Sequence, residues 1–238
     1  MRVQETSTRE IVIPDEREVR VLGGAGAAAG NWWDPNNEGL CVVGAYQAKG
    51  AGSYANSKVN QANPGTYDLT ELLGAVAWVD GIGWQFTAIN DNVFDTGWTP
   101  QNDQSQSVLC RFADRANTGR LLGTTQGGPA FDGFAIQPFI VRYDNGAGAG
   151  KLQVAPALDT GNLGIAGSTA YRNGVAEVGA IGAWAAPSTV TVFIGGLNNV
   201  GLGTAIAEFS GDIMAVVQYD CVLTAPQMLA VAAAMAAL

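Results

Sequence analysis

The sequence predicts an all-β fold, an antiparallel β-sandwich that ends in one short α-helix. Three observations carry that expectation. Charged residues make up only 14% of the 238, while 32 residues are glycine; helices exposed to water need many more charges along their outer sides. Short runs of alternating apolar and polar residues recur along the chain, separated by turn chemistry. The C-terminus, by contrast, carries a helix start signal followed by helical spacing. With 47% hydrophobic residues the chain can bury a large core, and sandwiches of this length often form a single domain.

Residues 1–22 read as a charged N-terminal arm in which Ile11, Ile13, Val19 and Val21 are spaced by two, as in short strands. Residues 23–30 are a Gly/Ala linker, and the sandwich is expected over 31–238. Trp84, Phe86 and Ala88 share one face of a strand. Val108, Cys110 and Phe112 point one way, while Ser107 and Arg111 point the other. The stretch from Phe134 to Tyr143 is apolar on both faces, as a central strand covered on both sides would be. Val190, Val192 and Ile194 alternate with Thr189, Thr191 and Phe193, and Ile213–Tyr219 reads as a mostly buried strand. Asp144-Asn145-Gly146 and Arg172-Asn173-Gly174 are hairpin signals, because Asn-Gly tolerates the positive φ that a type I′ turn needs. Thr224 and Gln227 form a capping box, with Pro226 in the first turn; Met228, Val231, Met235 and Leu238 then recur at helical spacing. The closing helix is therefore expected within 224–238.

Composition excludes several functions. The net charge is −9 and the 12 basic residues are scattered, so neither nucleic acid nor an anionic membrane surface is an expected partner. No run of eighteen apolar residues occurs, and the N-terminus has no signal-peptide pattern. Histidine is absent, which removes the commonest general base and the usual nucleophile–histidine arrangements. Cys41, Cys110 and Cys221 lie far apart without a CxxC motif and read as buried small hydrophobes rather than a zinc or redox site. No alternating carboxylate motif of the glucanase type lies in the sandwich; Glu16 and Glu18 fall in the arm, and Glu177 and Glu208 are isolated. Catalytic residues are not expected, and the chain reads as a non-enzymatic structural or recognition protein.

Asn90, Asp91, Asn92 and Asp95 are candidates for Ca2+ ligation, since hard cations take oxygen donors. Tight turns select the same residues through bonds to the backbone, and that is the preferred reading. Of the six tryptophans, adjacent Trp32 and Trp33 would point to opposite faces of any strand, leaving at most one readily buried by the sandwich.

Several segments occur in a familiar order: Gly30-Asn31-Trp32-Trp33, Gly44 to Ala51, Ala62 to Asp68, Phe94 to Ser105, Tyr171 to Gly174, Phe193-Ile194-Gly195, and Phe209 to Ile213 leading to Val222-Leu223-Thr224. Their succession over 31–238 resembles a laminin-G-like, concanavalin A-like jelly roll, of the kind found in phage and prophage proteins. The resemblance implies two curved antiparallel sheets and a virion setting, such as a capsid decoration, head fibre or tail adhesin. The expected partners are then other virion subunits, met through residues 1–30, together with cell-surface glycans or further copies in a homo-oligomer. The alternatives are a lectin-like carbohydrate-binding module on a bacterial surface and, more remotely, a jelly-roll glycoside hydrolase. The resemblance assigns no ligand-binding residue.

Overall fold

A computed structural model describes residues 31–238 apart from 73, 89–91, 101–104, 118, 127–132, 139, 145–150, 154–156, 183–187, 201–204 and 207. The arm at 1–22, the linker at 23–30, Asn90, Asp91, Asn145, Gly146 and Trp184 lie outside the described residues.

In chain order the first elements are β1 Val42–Gln47, α1 Tyr54–Ser57, β2 Thr70–Leu72, β3 Ala77–Val79, β4 Gly83–Phe86 and β5 Val93–Asp95. Next come β6 Ser107–Ala113, β7 Leu122–Gln126, β8 Gly133–Gln137, β9 Ile140–Asp144, β10 Lys151–Gln153 and β11 Gly161–Ala166. The last are β12 Thr169–Arg172, β13 Val175–Ala176, β14 Phe193–Ile194, β15 Leu197–Val200, β16 Ala205–Ile206, β17 Gly211–Tyr219 and α2 Ala225–Ala236.

Among the described residues these strands build two sheets, and the predicted all-β sandwich with a closing helix is what they form. One sheet runs β13-β12-β11-β6-β17-β4-β3, with β1 also on β17. The other runs β10-β9-β8-β7-β14-β5-β2, with β15 and β16 attached. Pairing is antiparallel except between β15 and β7, which run parallel. Strand β17 organises the first sheet. One of its edges pairs with β6, and the other is shared by β4 at 211–213 and β1 at 215–219. The handover falls at a register shift between Ile213 and Ala215, where the Met214 carbonyl accepts from the amides of Ala48 and Lys49. A bulge absorbs the residue that changes partners.

The core lies between the sheets, where Val108, Cys110, Phe112, Ile213 and Val216 from one meet Phe94, Leu122, Phe134 and Ile194 from the other. The Trp84 and Phe94 rings meet across the layers with centroids 4.9 Å apart. Burial of each such side chain contributes about 1.5–3 kcal/mol. Gly195 has φ +88°, and a Cβ there would sit inside the ring of Phe86; the close approach requires glycine. The opposite face of the first sheet is also buried. There Leu109, Ala215, Val217 and Tyr219 pack beneath Met228, Val231 and Met235 of α2. That helix begins as its sequence predicts, with the Thr224 amide donating to Gln227 Oε1 at 2.8 Å.

Four sequence expectations are revised. Phe134–Tyr143 is two strands, β8 and β9, paired with Gln137 opposite Ile140; Pro138 cannot continue a central strand. The strand expected over 189–194 shortens to β14, Phe193–Ile194. Cys41 and Cys221 form a disulfide with Cα atoms 6.0 Å apart, leaving Cys110 as a buried free thiol. The pairing of Val42 with Tyr219 brings these cysteines together, a proximity that spacing along the chain does not show. Finally, Trp32 and Trp33 are both buried, at 1% and 8% exposure. They occupy a turn rather than a strand, so alternation does not apply to them. The Asn173-Gly174 hairpin forms as expected, with φ of +50° and +80° between paired Arg172 and Val175.

Candidate functional site

The segment from Asn31 to Leu40 is held on the first sheet at several points. The Tyr219 hydroxyl donates to the Trp33 carbonyl at 2.6 Å, and burial pushes that phenol's pKa far above its ordinary value. The Asp34 carboxylate accepts from the amides of Glu38 and Gly39, both at 2.8 Å, which closes the turn. The disulfide fastens the far end of the segment at Cys41. The rings of Trp32 and Trp33 meet edge to face at 5.7 Å, a favourable geometry for aromatic quadrupoles.

The facing wall, residues 51–68, is polar and just as closely held. Asn60 is fully buried and uses its whole side chain. Its Oδ1 accepts from the amides of Ala45 and Ala62, and its Nδ2 donates to the carbonyls of Val43 and Thr66 at 2.8 Å each. A buried amide with every lone pair and hydrogen engaged stabilises one loop conformation. Asp68 adds to this by accepting from the Asn60 and Gly65 amides. Helix α1 is capped by Ser53, whose Oγ accepts from the Asn56 amide, and Trp84 Nε1 donates to Ser57 Oγ at 2.9 Å, fixing α1 to the core.

Between these walls lies an open groove of about 630 Å³. Its apolar lining comes from Trp33, Val59, Ala62 and Pro64, and its polar lining from the amides of Asn31, Asn56 and Gln61. Gln61 joins the walls, because its Oε1 accepts from Trp32 Nε1 at 3.0 Å. Among the described residues the lining holds no ionisable side chain. Chemically, the groove offers uncharged donors and acceptors beside apolar edges.

The two described Ca2+ candidates, Asn92 and Asp95, lie elsewhere. Asp95 Oδ1 accepts from the Gly97 amide at 2.8 Å, and Asn92 Nδ2 donates to the Ala75 carbonyl at 3.0 Å. Among the described residues no group of three or more His, Cys, Asp or Glu gathers as a metal cluster would. One carboxyl pair went unseen in the sequence. Burial raises the pKa of Asp212 above the ordinary carboxylate value, and Asp114 lies within hydrogen-bond reach of it. The two come from strand β17 and from the turn after β6, so no local pattern links them. Their contact is much closer than the roughly 5–9.5 Å that glycosidases keep between catalytic carboxyls, and no catalytic role follows from it. Sequence reasoning also missed Asn56 and Gln61 as groove residues. The one signal available was the amide-rich stretch Asn56, Asn60, Gln61 and Asn63 following a tryptophan pair.

No protein-family model matches the chain, and no curated protein matches it. Solved structures do. Domain 4 of an extracellular arabinanase from Geobacillus stearothermophilus, in complex with arabinotriose, superposes with a TM-score of 0.54 at 14% identity, covering 81% of this chain and 98% of that one. A mutant Trypanosoma rangeli sialidase displaying trans-sialidase activity gives 0.49 at 16% identity over 82% of this chain. This chain spans about a third of that sialidase's length, 33%. A Streptococcus pneumoniae sialidase gives 0.44 at 14% identity, covering 63% of this chain and 27% of that one. The likeness to the arabinanase domain is one of fold, the two-sheet β architecture already described.

That likeness also corrects the expected function. The architecture is shared with a unit of a carbohydrate-active enzyme seen with a saccharide. The assignments to a phage particle and to a non-enzymatic role are withdrawn.

Proposed function

We propose that this chain is the saccharide-binding β-sandwich of a carbohydrate-active protein, akin to the lectin-like jelly rolls. The groove between the tryptophan turn and the 51–68 loop carries the reading. Saccharides present hydroxyls that both donate and accept, and amide side chains do the same. They also present apolar ring faces, which favour the edges of Trp33, Val59 and Pro64 over water. The similarity to an arabinanase domain in complex with arabinotriose supports this choice over other ligands of comparable size. The Cys41–Cys221 disulfide suits an oxidising compartment, so the working place in this reading is outside the reducing cytosol.

Affinity electrophoresis and a glycan array, run on the full chain, test the proposal. Retardation by at least one polysaccharide, or retention by at least one oligosaccharide, is the expected result. A chain that remains folded yet ignores plant, bacterial and animal glycans alike would sink it.

A further inference from the structure

Resting on the saccharide reading above, we infer that the groove selects uncharged saccharides, read by the amides of Asn56, Gln61 and Asn31, and rejects glycans bearing carboxylate or sulfate. Recognition of an anionic sugar calls for a guanidinium or ammonium aimed at the anion, and among the described residues no Lys or Arg lines this groove. The cation within that wall, Lys58, is already committed. The Lys58 ammonium sits on the Glu71 carboxylate at 2.5 Å and over the Tyr54 ring at 4.5 Å. The same wall carries the carboxylate of Asp68, which accepts from the Asn60 amide, and the chain as a whole carries −9. An entering anion therefore meets repulsion without a compensating partner.

The amides are set to read hydroxyls. Gln61 is oriented by Trp32, which occupies its Oε1. Among the described residues its Nε2 makes only a long contact, 3.5 Å, to Gln47 Oε1, so a donor remains for a ligand. Asn56 makes one long Nδ2 bond of 3.4 Å to the Ala51 carbonyl, and Asn31 Nδ2 donates to Asn37 Oδ1 at 3.1 Å. Among the described residues neither asparagine's Oδ1 has a hydrogen-bond partner, so each is left as an acceptor. One free donor and two free acceptors beside an apolar strip are the complement of a vicinal diol on a pyranose or furanose ring.

The full chain is titrated by calorimetry with arabinotriose, xylotriose and lactose, and with sialyllactose, the charged counterpart of lactose. Asn56→Ala and Gln61→Glu are compared with the wild type, with near-UV circular dichroism as the check on folding. Gln61→Glu retains the acceptor for Trp32 and removes the free donor. The expected result is binding of a neutral sugar, with affinity falling about tenfold in each variant, the loss of one hydrogen bond, and no heat from sialyllactose. Neutral-sugar binding untouched by both substitutions would overturn the groove assignment while leaving the saccharide reading standing. Preference for sialyllactose over lactose would overturn the charge selectivity alone. Absence of binding to every sugar would remove the saccharide reading and this inference with it.

Discussion

The two faces of the first sheet are buried by different means. The inner face meets the second sheet through aromatic and aliphatic side chains, with Trp84, Phe94, Phe112 and Phe134 wholly enclosed. The outer face is covered piecemeal by helix α2 and by a turn carrying two tryptophans. A disulfide, the Tyr219 hydroxyl and the Gln61 amide hold that turn in place. Area stabilises the first arrangement, and the loss of any one contact is shared among many neighbours. The second relies on a few directional bonds and one covalent link, so its shape is specified more sharply than its stability. The candidate groove sits on the second kind of surface, where amide orientation matters more than buried area.

If that contrast holds, Phe94→Ala should be the most damaging single change. Truncating a fully buried aromatic costs about 3–5 kcal/mol, read as a fall in the midpoint of chemical denaturation. A cost below about 1 kcal/mol would mean that the inner face is not the packed core it is taken to be.

Replacing both cysteines, Cys41→Ser with Cys221→Ser, should cost about 2–4 kcal/mol, chiefly through freedom regained by the unfolded chain. The same double variant sharpens the comparison, because the tryptophan turn is fastened there. Its tryptophan emission should shift to the red and saccharide affinity should fall, whereas Phe94→Ala should lower stability with affinity retained in the folded fraction. Equal loss of affinity in both variants would erase the distinction between the faces.

The smallest effect is expected at Asp212. Burial, opposed by the Gln85 hydrogen bond and aided by Asp114, raises its folded pKa above the ordinary carboxylate value. At pH below the unfolded value both states hold the proton and nothing is lost. As pH rises through the folded pKa, ionisation costs the native state more than the unfolded one, so stability falls. Asp212→Asn should therefore be more stable than the wild type at neutral pH, with the advantage vanishing below about pH 4. Thermal midpoints measured across that range check the sign, and a variant less stable at neutral pH would reverse the assignment of burial as the main cause.

Much of the inner face was legible because strand periodicity writes it directly. Val108, Cys110 and Phe112 alternate in sequence and share the interlayer core, and Asn173-Gly174 specifies its own turn. The closing helix was legible from Thr224 and Gln227, a local pair. Phe134–Tyr143 misled because apolar composition outweighed the proline that divides it into β8 and β9. The outer face was harder to read. Cys41 meets Cys221 across 180 residues, Trp33 meets Tyr219 across 186, and both depend on β1 lying beside β17. The groove shares that difficulty, since Asn31 and Asn56 line one cleft only once two loops are folded against each other.

The position of the disulfide has a mechanical consequence. Tension applied to the chain upstream of Cys41 and downstream of Cys221 passes through the sulfur bridge and bypasses the 179 residues between them, as the separation of 180 implies. Within the described chain only 31–40 and 222–238 can then be drawn out, and the two sheets stay unloaded until a covalent bond breaks. Reduction would reroute the same pull through the β1–β17 hydrogen bonds, making thiol chemistry the control over whether the fold yields under force.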